Sequence, residues 1–233
     1  MICLGIEGSA NKVGVGIISD EIVLANVRRT FIPERGLGFE PTQIALHHRA
    51  NIIELIVNAV DEACCKIADI DIFAHTKGPG MAVPLISMSI VARTLGLLWK
   101  KPVVPVNHCV AHIEMGRVIT GAKNPVILYA SGGNTQVIAY SDHKYHIFGE
   151  TLDIAVGNCL DRVARLLKLS NNPSPGYNIE QNALKSSFFI ASIPYMVKGM
   201  DISLSGLLYK VEEIAKMNLH TLEDICFSVQ EVI

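Results

Sequence analysis

Short apolar runs broken by small polar tips fill the first part of the chain. Residues 2–6 read as a buried strand, and residues 13–18 and 22–27 read as two more, separated by Ser19-Asp-Glu21. The first turn, Ser9-Ala-Asn-Lys12, is flanked by Gly8 and Gly14. Residues 33–41 form a Gly/Pro-rich loop. From 42 to 67 the period changes, and Ile44, His48, Ile52, Leu55, Ile56 and Ala59 fall on one helical face. Residues 70–75 return to a strand that opens into Lys77-Gly-Pro-Gly80. Residues 85–99 are apolar almost all round, which predicts a buried helix. A strand at 102–106 then leads into a helix bearing His108 and His112.

The order then begins again. Residues 126–130, 136–140 and 145–148 read as strands, with a Gly-rich turn between the first two, and 158–169 as a helix. Three strands, a polar turn after the first, then a helix: the unit occurs twice, as architecture rather than as repeated sequence. It predicts an α/β fold of duplicated strand–helix units with mixed sheets, in lobes 1–124 and 125–233, with a ligand cleft between them. Helices at 177–185, 204–217 and 222–233 follow, with loops at 171–176 and 194–199. No Gly, Pro or polar stop closes the last helix, so the sequence is expected to end inside an element.

The chain has 233 residues, half of them apolar and 18% charged, enough for a substantial core. A net charge of −2 advertises no nucleic-acid field, though it leaves room for an RNA substrate presented by partner proteins. The six cysteines include no C-x-x-C pair, which argues against a disulfide framework or a cysteine zinc site and for a reducing compartment. No signal or transit peptide is apparent, and no uninterrupted apolar stretch is long enough to predict a membrane span.

His108 and His112, four apart, share a helical face as two metal ligands would; such a pair is also common on plain surfaces. A third ligand would have to come from elsewhere, Tyr129 or an acidic residue; Tyr129 reads equally well as a core tyrosine. Glu114 lies off the histidine face, so this is not a zinc-protease motif. Ser131-Gly-Gly-Asn-Thr135 is either a phosphate cradle or a plain hairpin turn. Asp161 could accept from ribose hydroxyls or be a paired surface charge. Gly176 and Glu180 could flank a ribose or base, or be a loop glycine and a first-turn glutamate favoured by the helix dipole. Lys12 is a phosphate candidate or a solvated turn lysine. His47-His-Arg49 reads as a solvated basic face.

Eight blocks in order then carry a resemblance: Glu7-Gly-Ser-Ala-Asn-Lys12, His47-His-Arg49, Thr76-Lys-Gly-Pro-Gly80, Asn107-His-Cys-Val-Ala-His-Ile-Glu-Met-Gly-Arg117, Ser131-Gly-Gly-Asn-Thr-Gln136, Gly157-Asn-Cys-Leu-Asp161, Pro175-Gly-Tyr-Asn-Ile-Glu180 and Val197-Lys-Gly-Met-Asp201. Together they resemble the tRNA N6-adenosine threonylcarbamoyltransferase family, once called O-sialoglycoprotein endopeptidases, and most closely the catalytic subunit of the KEOPS (EKC) complex. The resemblance implies the actin-like ATPase (sugar kinase/Hsp70) fold. It implies transfer of threonylcarbamoyl from threonylcarbamoyl-AMP to N6 of adenosine 37 in tRNAs reading codons that start with A. It implies one divalent metal, iron or zinc, on His108, His112 and Tyr129. It places the intermediate against Tyr129, Ala130, Ser131, Gly132 and Gly133, with Asn134 beside them, and its ribose and base against Asp161, Gly176 and Glu180. Partners implied are tRNA and the other KEOPS subunits, in cytoplasm and nucleus, with no membrane. Family members carry a later Gly-Gly-x-x-x-Asn segment and a later Asp-Asn-Gly stretch that this sequence lacks. The second lobe is therefore expected to be incomplete and these 233 residues to show little or no transfer, even with partner subunits, the alternative being a truncated non-catalytic nucleotide-binding or KEOPS-scaffold protein. A lesser departure is Leu37 within Gly36-Leu-Gly38.

Overall fold

The computed structural model describes residues 1–34, 37–194 and 197–233; Gly36 and parts of the loops at 33–41 and 194–199 lie outside these. The chain divides into two compact units, residues 1–31 with 38–121, and residues 32–37 with 122–233.

In the first unit β1 (Ile2–Glu7), β2 (Lys12–Ser19) and β3 (Ile22–Thr30) form an antiparallel meander. Two strands parallel to β1 follow, β4 (Ile72–Gly78) and β5 (Val103–Asn107), giving the order β3-β2-β1-β4-β5. The mixed sheet predicted for this half is therefore present. Alternation in β2 turns Val13, Val15 and Ile17 inward. They meet Leu4 and Ile6 of β1, and Ile52, Leu55, Ile56 and Ala59 of helix α1 (Pro41–Glu62). The predicted stripe on α1 is the buried one, but the helix stops at Glu62 instead of continuing to 67, and Cys64 turns the chain with φ of 50°.

Helix α2 (Ala82–Trp99) corrects the expectation of burial all round. Leu85, Met88 and Ala92 face the core, while Val83, Ile86, Ile90, Leu97 and Leu98 are exposed within the chain. Uniform apolarity hides which side a helix buries. Among the described helices, α2 alone is long and apolar enough to cross a membrane by length and composition, a span the sequence reading did not predict. Its packing on β4 and α1 is that of a sheet-covering helix.

In the second unit β6 (Ile127–Ala130), β7 (Thr135–Ser141) and β8 (Lys144–Glu150) form another antiparallel meander. It repeats the β1-β2-β3 arrangement, and α4 (Val156–Leu166) follows as α1 follows β3. Among the described residues the sheets of this unit are antiparallel, with one parallel bridge, Thr151 to Ile202. Helices α5 (Pro175–Ala183), α6 (Ser205–Met217) and α7 (Leu222–Val232) close a second core around Cys159, Val163, Leu207, Val211, Cys226 and Val229. A two-residue hairpin, β9 (Val197–Lys198) and β10 (Asp201–Ile202), precedes α6. Residues 32–37 belong to this unit, not to the first lobe as expected. The Asn171 Nδ2 group lies 3.3, 2.8 and 3.3 Å from the carbonyl oxygens of Pro33, Glu34 and Leu37.

Candidate functional site

The histidine pair of the first unit sits on α3 (His108–Thr120), which begins where β5 ends. Asn107 starts it, its Oδ1 accepting the N–H of Cys109 at 2.9 Å and of Val110 at 3.1 Å. The rings of His108 and His112 lie one turn apart, centroids 4.6 Å from each other and crossed at 78°. His108 Nδ1 is 3.1 Å from Ser9 Oγ and 3.6 Å from Glu7 Oε1. Ser9 gives Glu7 both its hydroxyl and its N–H, the latter at 2.9 Å, and Thr76 gives its hydroxyl to the other carboxylate oxygen. Burial raises the pKa of Glu7, but the nearby His108 ring and hydrogen bonds from Ser9 and Thr76 outweigh it and hold the carboxyl at about 2. Desolvation, aided by His108, lowers the pKa of His112 and favours the neutral ring a metal requires. Two imidazole nitrogens on one helical face suit a borderline divalent ion such as zinc or iron.

Glu114 pairs with Arg117 at 2.9 and 2.7 Å. Lys12 opens β2 with an exposed side chain. Of the triplet at 47–49, Arg49 is exposed and His47 half-buried, but His48 is not on a solvated face. His48 is fully buried and donates from Nε2 to the Ala10 carbonyl at 2.9 Å, and Arg49 donates to Ser87 at 3.0 Å. The same residue type reads as basic in a sequence and acts here as a neutral support for the first turn.

The second unit carries the nucleotide candidates on the turn after β6, on α4 and on α5. Ser131 N–H donates to the Asn134 carbonyl at 2.8 Å, closing the Gly-rich turn after β6. The turn lies on α4: Gly157 N–H reaches the Ser131 carbonyl at 3.1 Å, and Val156 N–H reaches Thr135 Oγ1 at 2.9 Å. Only glycine fits at 157, since a Cβ there would lie 2.6 Å from the Ser131 oxygen. Gly132 and Gly133 have nothing within 4 Å of a would-be Cβ, so their backbone is open to approach. Asp161 stands one turn beyond Gly157, and burial, against the opposing charge of Arg165, raises its pKa. Gly176 faces Leu160 of α4, and Glu180 lies one turn further along α5. One expectation changes: the N–H groups of Gly133 and Asn134, read as phosphate donors, are given to Ser131 Oγ at 3.3 and 3.0 Å.

Tyr129 is buried on β6 opposite Gln136, and Ala130 pairs with Thr135; both belong to the second unit, whereas the histidines belong to the first. Among the described residues no cluster of three or more His, Cys, Asp or Glu forms. The roles of Ser9, Thr76 and Gly157 escaped the sequence reading. A signal existed for Glu7 and Thr76: Glu7 ends β1 and Thr76 lies in the last three residues of β4, the adjacent parallel strand, and ligands of open α/β sheets gather at such carboxyl ends.

Comparison with known proteins gives this geometry a lineage. The family model for tRNA N6-adenosine threonylcarbamoyltransferase matches residues 22–233. The Bos taurus protein of that name is 59% identical over 234 residues, covering 99% of this chain and 70% of its own length. The Homo sapiens protein is 58% identical with the same coverage. Among solved structures, component A of (R)-2-hydroxyglutaryl-CoA dehydratase from Acidaminococcus fermentans aligns with a TM-score of 0.60 at 13% identity, over 100% of this chain and 74% of that one. HypF from T. kodakarensis aligns at 0.59 and 10% identity, over 98% and 38%. These likenesses show the fold alone, the actin-like ATPase (sugar kinase) type. The sequence identity goes further: this chain belongs to the tRNA N6-adenosine threonylcarbamoyltransferase family.

Proposed function

We propose that the chain transfers threonylcarbamoyl from threonylcarbamoyl-AMP to N6 of adenosine 37 in tRNAs that read codons starting with A. The observation that carries this reading is the 59% identity to a named transferase along almost every residue. In the reaction the N6 amine attacks the carbamoyl carbonyl, a C–N bond forms, the bond to the phosphate oxygen breaks, and AMP leaves with the electron pair. The amine gives up a proton.

The turn at 131–134, set on the first turn of α4, supports the adenylate reading. The positive end of the α4 dipole faces the phosphate side. Rotation of the whole Ser131 side chain, which moves Oγ away, would free the Gly133 and Asn134 N–H groups for phosphate oxygens, where they stabilise the departing charge. Asp161 accepts from the ribose, and Gly176 and Glu180 flank it. His108 and His112 would hold the divalent metal, iron or zinc, which when bound polarises the carbamoyl carbonyl as a Lewis acid. We assign the protein to the KEOPS complex in cytosol and nucleus; its free cysteines fit a reducing compartment.

The test has two readouts. Labelled threonine should enter tRNA when the gene product is supplied with its partner subunits and threonylcarbamoyl-AMP. Calorimetric titration with a stable adenylate analogue should show binding that Asp161→Ala weakens about 10–100-fold, as loss of a charged hydrogen bond implies. Transfer without any analogue affinity at the 131–134 turn, or equal affinity in the variant, would remove this cradle from the reaction.

A further inference from the structure

The hydrogen-bond directions around Glu7 fix which nitrogen of His108 carries the proton. Glu7 receives the Ser9 N–H, and an N–H can only donate. The Ser9 hydroxyl is bonded to the same oxygen, Oε1, and the Thr76 hydroxyl to Oε2. A carboxylate has no proton to give, so both hydroxyls donate to it. With its proton turned to Glu7, Ser9 Oγ can only accept from its remaining neighbour. That neighbour is His108 Nδ1, 3.1 Å away. The chain of donors therefore runs from His108 Nδ1–H to Ser9 O–H to Glu7. A neutral imidazole has one N–H, so its Nε2 is left with a bare lone pair.

The relay is built in, not incidental. Ser9 is 2% exposed and Thr76 7%. The Ser9 carbonyl accepts the Met81 N–H at 2.7 Å, and Gly80, with φ of 156°, lies so close that a Cβ there would meet Ser9 Cβ at 2.6 Å. Next along the turn, the Ala10 carbonyl is held by His48. Glu7 ends β1, Thr76 lies near the carboxyl end of the adjacent parallel strand β4, and α3 starts from the next one.

We propose that Glu7, acting through Ser9, is a positioning residue that locks His108 in the Nδ1–H form and so presents Nε2 to a metal. The tautomer half stands on the hydrogen bonds alone; the metal half rests on the function proposed above. A carboxylate behind a ligating histidine raises ligand basicity, and losing such a partner typically costs about 10–100-fold in metal affinity.

The test is a long-range proton–nitrogen correlation spectrum of histidine-labelled, metal-free protein above the histidine titration range, followed by a zinc titration. His108 should show a protonated Nδ1 and an unprotonated Nε2. Glu7→Ala should shift the ring toward the Nε2–H form and weaken zinc about 10–100-fold. Glu7→Gln, whose amide oxygen still accepts the Ser9 hydroxyl, should keep the Nδ1–H form, and it guards against a fold lost in the alanine variant. A wild-type ring protonated at Nε2, a tautomer unmoved by Glu7→Ala, or unchanged zinc affinity in that variant overturns the proposal. A ring of the expected form in a protein that takes up no zinc retires the metal reading and leaves the tautomer assignment supported.

Discussion

Gly157 shows how much one missing methyl group can organise. A Cβ at this position would clash with three backbone atoms of the Gly-rich turn, the Ser131 oxygen and carbonyl carbon and the Gly132 nitrogen. Backbone cannot swing aside as a long side chain can. Gly157→Ala is therefore expected to push the turn off α4, cost about 1–3 kcal/mol in a urea unfolding experiment, and weaken adenylate-analogue binding in calorimetry. An unchanged midpoint would mean that the turn moves freely. The site's residues were unevenly legible. The His108–His112 spacing announces itself because four residues make one helical turn. Gly157 does not, since its partner is 26 residues back and no local pattern records it. His48 was visible as part of the buried stripe on α1 and, in the same sequence, as one of three basic residues. Spacing was the better guide than residue type, because burial removes the charge that the type suggests: desolvation lowers the pKa of His48.

Among elements, helix starts carry the clearest energetic consequences. Asp153, between β8 and α4, reaches across to the start of α6. It accepts from Ser203 Oγ at 2.7 Å, Leu204 N–H at 2.9 Å and Ser205 N–H at 3.1 Å. Burial raises its pKa, but these bonds, with one from Ile154, hold the carboxyl well below the usual carboxylate range. Asp153→Ala should cost about 1 kcal/mol, as loss of a helix cap does. The pH dependence follows from the direction of the shift. A depressed folded-state pKa stabilises the fold above the unfolded value, near pH 4, and the benefit fades as pH falls through the folded one. Wild type and Asp153→Ala should thus converge in stability in acid and separate above about pH 4, measured by denaturant midpoints. Most element types were legible from period alone, including both meanders. The outer side of α2 was not: apolarity all round predicts burial all round, yet Ile86, Ile90 and Leu98 stay exposed within the chain. Hydrophobic periodicity reports what a helix can bury, not how many surfaces the chain itself supplies.

Taken whole, the molecule holds two separate cores. One gathers Leu4, Phe73, Ile52 and Met88, and the other gathers Cys159, Val163, Leu207 and Val229. Phe73→Ala, which hollows the first, should cost about 3–5 kcal/mol. Hydrogen exchange should then show protection falling in β1, β4 and α1 while α4 to α7 keep theirs. An equal loss in both would show one cooperative unit instead. The duplicated architecture was readable because each copy repeats the same strand order. The detour of residues 32–37 into the second unit left no local mark in the sequence, because it is made by contacts far away along the chain.

That last arrangement bears on how the protein is made. The carbonyls of Pro33, Glu34 and Leu37 wait for Asn171, which lies 134 to 138 residues downstream. A ribosome adding about 5–20 residues per second delivers that side chain roughly 7–30 seconds later. Over that interval residues 1–31 and 38–121 can already have closed their own sheet. The second unit is thus completed by a strand of chain older than itself, and a gene cut between the two units would leave that piece with the wrong half.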